Sequence, residues 1–292
     1  MIGLVTDSNA QLPPELAARL GVEVVPLTVT VDGVEYLEGV DLDADAFYAR
    51  YEAGRPLVST AGPSPGRFAA AYEAVADRGA TEILSVHIGS SVSGTVNAAR
   101  LASRVAPVPV RIVDTGTASF AISLCVWAAA DAVADGASFD EAAAAAERAS
   151  ATVGNVFVVG ALDVARAGGR LAGDVEADAG TTGAPSMPVL TLVGGVMRQV
   201  DECASLDDVA DAMARFVRAA GGPLRAGVGL SDPGTLALVT AVEHRLRDTP
   251  EVRDLVRYRI GPSVGAHTGP GTVGTMFAPL AHPVRGVGEL LG

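Results

Sequence analysis

The sequence predicts an α/β protein of two domains, an N-terminal domain on a mainly parallel sheet (residues 1–152) and a C-terminal α+β domain (residues 153–292). Three observations carry this reading. Short β-branched runs alternate with helical patterns through the first half, as expected of a parallel sheet layered with helices. Beyond about residue 152 the texture changes to hairpin signals and separate strands and helices. A chain of 292 residues with 49% hydrophobic content is also long enough to give two domains a core each.

Residues 1–6 read as the first strand. Pro13 and Pro14 open a helix whose end is marked by Gly21, followed by the apolar run 22–31 and a turn at Asp32 and Gly33. Phe47 and Tyr51 stand at helical spacing. Residues 59–65 form a hydroxyl-bearing loop leading into a helix that starts on Pro65 and ends near Gly79. Residues 82–87 make a buried strand that ends in a loop of serines, and Ser93 or a neighbour caps a helix to about Arg104. Residues 110–113 supply the next strand and 117–134 a helix. This apolar stretch is interrupted by Asp131 and short for a membrane span, so it reads as a buried helix. Ser138 and Glu141 have the form of a capping box, and the alanines of 142–146 favour the helix that follows.

In the second half, residues 155–160 form a strand, and 189–193 and 196–200 face each other across Gly194 and Gly195 as a hairpin. Ser205 and Asp208 introduce a helix to about Ala220, and Pro233 starts another that ends near Arg247. Residues 224–230 and 256–260 are the remaining strands.

Charge and cysteine content narrow the function. With 34 acidic against 21 basic residues the net charge is −13, and every strong cation is an arginine, since the chain has no lysine. Nucleic acid is thereby disfavoured as a partner, and contact with anionic membranes is transient at most. Cys125 and Cys203 form no C-x-x-C pair, so neither a disulfide framework nor a zinc site is expected. No signal-peptide pattern stands at the start and the cysteines suit a reducing compartment, so a cytoplasmic location is expected. His87, His244 and His282 lack metal-ligand spacing, and no metal or cofactor is expected. A P-loop needs a lysine, so the chain has no evident means of binding ATP itself.

Several polar clusters remain. Gly89, Ser90, Ser91, Val92, Ser93, Gly94 and Thr95 bring hydroxyls and backbone amides to a strand-to-helix junction, which is either an anion site or ordinary capping. A nucleophile elbow centred on Ser91 would need glycine at position 93, which argues against a serine hydrolase. Ser59, Thr60, Ser64 and their neighbours form a second hydroxyl-bearing loop. It can meet the first at the carboxyl edge of a parallel sheet, where open α/β folds bind ligands. His267 lies among Gly261, Gly265, Gly269 and Gly271, whose small size lets the loop approach a ligand; its imidazole can donate to a carboxylate. The G-x-G-x-x-G formed by Gly269, Gly271 and Gly274 lies too close to the end of the sequence for a dinucleotide unit. Arg170, after Gly168 and Gly169, is a candidate for a carboxylate or phosphate, or for a helix C-terminus. Asp7 and Ser8, at the end of the first strand, are either catalytic or capping residues, and capping or loop ordering is the favoured reading.

In this order, the segments Val5-Thr6-Asp7-Ser8, Ser90 to Thr95, Gly168-Gly169-Arg170 and Gly265 to Gly271 resemble the DegV family of bacterial lipid-binding proteins, over nearly the whole chain. The resemblance implies two domains with a lipid tunnel between or beneath them, and a carrier rather than an enzyme. The carboxylate of its bound fatty acid would be presented to a separate ATP-dependent fatty acid kinase, which forms an acyl phosphate. It places Thr60, Ser93 and His267 on the carboxylate, with Arg170, Ser91, Gly94 and Thr95 as accessory residues of the pocket or the kinase step. The ligand expected is a long-chain acid of about C14 to C18, each buried methylene contributing about 0.8 kcal/mol. Ala61 and Gly62 follow Thr60 where the family often has serine and glutamine, and Met187 precedes Pro188 where the family often has lysine. The alternatives are an enzyme acting on a small carboxylate or phosphorylated metabolite with His267 as acid or base, and a regulatory protein with a vestigial pocket.

Overall fold

The computed structural model describes residues 1–160, 186–194 and 196–280. The chain opens with β1 (Ile2–Asp7), a 3-10 turn over Ser8–Ala10, α1 (Pro14–Leu20) and β2 (Val22–Val25). Pro14 sits in the first turn of α1 and Gly21 closes it at a φ of 65°, as the sequence predicts. The apolar run 22–31 is not one segment, however. Pro26 has no N–H to give a sheet, and the chain changes sheets there: β2 pairs with β1, whereas β3 (Thr28–Val31) pairs with β4 (Val34–Leu37). Next come α2 (Ala44–Glu52) and β5 (Val58–Ala61). β5 corrects the expected loop: Ser59, Thr60 and Ala61 pair antiparallel with β3, Thr60 opposite Val29. The sequence hid this because the strand is short and polar, held by its partner and not by alternation of its own.

Ser64 then caps α3 (Pro65–Asp77) by accepting from the Arg67 amide, and β6 (Glu82–His87), α4 (Thr95–Ser103), β7 (Val110–Asp114), α5 (Phe120–Ala134) and α6 (Phe139–Thr152) follow. The parallel sheet runs β2-β1-β6-β7. Its alternating side chains supply two cores: Leu4, Leu84 and Val86 pack with Ile122 and Val126 of α5, while Val5 and Ile83 pack with Phe68 and Tyr72 of α3. Both ends of the capping box at Ser138 and Glu141 are formed, and the buried alanines of α6 join the first of these cores.

The rest of the described chain is β8 (Gly154–Val158), β9 (Met187–Val193), β10 (Val196–Cys203), α7 (Leu206–Arg218), β11 (Leu224–Leu230), α8 (Leu236–Arg247), β12 (Val252–Arg259), α9 (Pro262–Thr268) and β13 (Val273–Pro279). Six strands order as β10-β9-β8-β13-β11-β12, with the expected hairpin between β9 and β10. Two of these elements differ from expectation. The glycine-rich loop around His267 contains α9, with Pro262 in its first turn and Gly269 closing it at a φ of 74°. After it, β13 runs between β8 and β11; its glycine and proline disguise a strand that is largely buried in the middle of the sheet.

Among the described residues β4-β3-β5 form a third, smaller sheet, and the four-stranded and six-stranded sheets meet through α5. Phe120 stacks on Tyr258 with centroids 4.5 Å apart, and buried Arg225 lies over Trp127 while pairing with Asp131 and Asp254. No helix among the described residues is long and apolar enough to cross a membrane.

Candidate functional site

Four consecutive side chains at the end of β1 tie the molecule together. Thr6 Oγ1 donates to the Val86 carbonyl. Asp7 accepts from the Ile88 amide and from His87 Nδ1 at 2.9 Å, which fixes the end of β6 where the serine loop begins. Ser8 donates to Glu38 and accepts from the Leu27 amide at 2.9 Å. Asn9 donates to Ser263 and accepts from the Ser119 amide. Asp7 and Ser8 therefore order loops, as their position suggested.

Beneath the serine loop, His87 Nε2 lies 2.6 Å from Ser85 Oγ, and Ser85 lies 2.9 Å from the Tyr72 hydroxyl. Burial pushes the Tyr72 phenol up to about 12, so it serves as a donor. With Asp7 taking the Nδ1 proton, the network assigns Ser85 as donor to Nε2 and Tyr72 as donor to Ser85. The residue order is that of a hydrolase triad, but Asp7, Ser85 and His87 are all 0% exposed, so no substrate reaches the serine.

The hydroxyl loops do meet. Thr60 Oγ1 lies 3.2 Å from His267 Nε2, and both residues are half-buried. Ser93 Oγ lies 2.8 Å from Thr95 Oγ1 and accepts from the Thr95 amide at 3.3 Å. The two sets touch through Gly62, where an added Cβ would stand 2.7 Å from Thr95 Oγ1. A side chain at position 62 would push the loops apart. Gly94, not Ser93, is the N-cap of α4 and makes no side-chain capping bond. Ser91 is exposed, Thr95 is buried, and Ala61 points outward from β5. Met187 begins β9 opposite Cys203. Arg170, with Gly168 and Gly169, lies outside the described residues.

Residues that the motifs did not single out hold α9 in place. An added Cβ at Gly265 would stand 2.5 Å from the Tyr48 hydroxyl and 2.8 Å from Phe47, so the helix lies directly on the aromatic face of α2. Beyond its C-terminal end, Asp232 accepts from the Gly271 amide at 2.6 Å. At its start, Ser263 donates its amide to Glu38 at 2.8 Å. No motif in the sequence marks Glu38, Tyr48 or Asp232 as partners of this helix. A cleft of about 360 Å³ opens beside Tyr48 and Pro270. Among the described residues, no group of three His, Cys, Asp or Glu side chains is arranged to hold a metal ion.

A model of the DegV family, described as uncharacterised, matches residues 1–280. The chain belongs to the DegV family. A DegV domain-containing protein of Streptomyces coelicolor is 37% identical over 284 residues, covering 95% of this chain and 98% of its own. Among solved structures, a DegV family protein from Thermus thermophilus described for its fatty acid binding superposes with a TM-score of 0.84 at 31% identity, covering 96% of this chain and 99% of its own. A DegV lipid-binding protein from Thermotoga maritima superposes with a TM-score of 0.81 at 25% identity, covering 95% and 98%. These matches extend along nearly the whole chain, in agreement with the two-domain α/β architecture of the family.

Proposed function

We propose that this DegV protein binds a long-chain fatty acid, buries the acyl chain, and holds the carboxylate with Thr60, Ser93 and His267. The observation that carries the reading is the meeting of Thr60 and His267 at 3.2 Å in a half-buried setting, with the Ser93 loop brought alongside through Gly62 and Thr95. A carboxylate leaving water needs donors, and two hydroxyls with one imidazole supply them. The N-terminus of α4 adds to this, because its N-cap Gly94 has no side chain to compete with a ligand there. The fatty acid binding described for the Thermus relative agrees with the same ligand class.

The protein acts as a carrier and has no turnover of its own. The bound carboxylate is presented to a separate ATP-dependent kinase that forms the acyl phosphate, a division of labour consistent with a chain lacking the P-loop lysine. In this reading Arg170 assists at the pocket mouth or in the kinase step, and the chain divides into domains 1–152 and 153–292. Native mass spectrometry of the freshly purified protein tests the proposal, followed by denaturing extraction of what is bound. One fatty acid per chain is expected. A protein that is empty and takes up none of the added acids of about C14 to C18 would overturn it.

A further inference from the structure

We propose that Glu38 is a positioning residue for the fatty-acid carboxylate, setting the His267 imidazole through α9. This rests on the assignment of His267 to the carboxylate.

The case begins with the helix itself. α9 has seven residues, too few to define its own position in water, so its placement is decided by what grips it. His267 lies in its last turn. At its first turn the grip is Glu38, whose Oε1 accepts from the Ser263 amide at 2.8 Å and whose Oε2 accepts from the Ser8 hydroxyl at 2.5 Å. Gln11 completes the arrangement: its Nε2 reaches Glu38 at 3.4 Å and Ser263 Oγ at 3.3 Å, and its Oε1 accepts from the Gly261 amide. A Cβ at Gly261 would stand 2.7 Å from Gln11 Oε1 and 2.8 Å from Glu38 Oε1, so glycine is what admits both side chains.

Glu38 therefore joins the end of β1, the end of β4 and the start of the helix that carries His267. It is 5% exposed, and the hydrogen-bond donors around it are neutral. Burial raises its pKa above the usual glutamate value, and the bonds from Ser8, Ser263 and Gln11 oppose that rise. A buried acid satisfied only by neutral donors is a poor way to stabilise a fold. It is a good way to fix one backbone amide relative to two distant strands, because a carboxylate can accept from several directions at once.

The test is a double-mutant cycle on the intact protein, reading the dissociation rate of a fluorescent long-chain fatty acid from Glu38→Ala, His267→Ala, Ser93→Ala and the pairwise combinations. Glu38→Ala is expected to release the acid about tenfold faster than the parent. The same change made in His267→Ala should add less than about twofold, while in Ser93→Ala it should retain its full effect. Glu38→Gln, which keeps an acceptor for the Ser263 amide, should restore retention to within about threefold of the parent. A general loss of stability would act equally in both backgrounds, so it does not produce this pattern. If Glu38→Ala fails to fold, Glu38→Asp enters the same cycle, keeping the charge and shortening the reach. Equal effects of the Glu38 change in the two backgrounds, or none in either, overturn the positioning role and leave the carboxylate site standing. An unchanged release rate in His267→Ala overturns the site assignment itself, and the role of Glu38 with it.

Discussion

Two histidines show how differently this fold uses one side chain. His87 is wholly buried at the end of β6, bonded through Nδ1 to Asp7 and through Nε2 to Ser85, with Phe68 edge-on at 4.9 Å. His267 is half-buried on a short helix, with Thr60 as its named neighbour. The first has both ring nitrogens committed within one core and holds the sheet and the serine loop in register. The second meets Thr60, from a strand 207 residues away in sequence, at 3.2 Å. Burial, more than residue type, separates the imidazole closed inside the core from the one proposed for a ligand.

The largest effect expected from this contrast is on stability. His87→Ala leaves Asp7 and Ser85 without their shared partner in a dry interior, and a loss of about 3 kcal/mol in urea denaturation is expected. A loss below about 1 kcal/mol would break the contrast. His267→Ala should do the reverse, changing stability by no more than about 0.5 kcal/mol while fatty acid is released about tenfold faster in a stopped-flow transfer assay. Gly62→Ala sharpens the comparison, since its methyl group would press on Thr95 and separate the two hydroxyl loops. It should cost about 1 kcal/mol and weaken retention together, measured by thermal unfolding and fatty acid titration. Cost without weakened retention would detach Gly62 from the site.

The smallest effect concerns pH. Glu38 has a folded-state pKa raised above 4.5 by burial, so the folded protein holds that proton more tightly than the unfolded chain. Its contribution is fully present below pH 4.5 and is lost as the pH rises through the raised value. Urea midpoints of the parent should therefore decline over that window relative to those of Glu38→Gln. Parallel curves for the two proteins would remove Glu38 from the linkage.

Much of the framework was legible before any coordinates. Pro14 and Gly21 bracket α1, Ser138 and Glu141 form their capping box, Ser205 caps α7, and the hairpin at Gly194 joins β9 to β10. The motifs also marked Thr60 and His267, which the structure brings within 3.2 Å of each other. Other features were misread for identifiable reasons. β5 looked like a loop because two of its four residues are hydroxyl-bearing and its order comes from β3. α9 looked like a loop because glycines at its ends and within it mask a single helical turn or two. Glu38 and Gln11 carry no motif, and nothing near them in sequence announces a partner.

Sequence alone determined the local pieces of this protein, its helix boundaries, most of its strands and the residue types available for a carboxylate. Those signals are local: caps, prolines and hydrophobic periods act within a few residues of where they are written. Tertiary structure alone decided which polar groups meet. Thr60 and His267 are 207 residues apart, and Glu38 and Ser263 are 225 apart. Their encounter depends on how the antiparallel sheet, the end of β1 and the start of α9 pack against one another. A hydrogen bond forms only within about 3.5 Å, so these pairs exist only once that packing is complete.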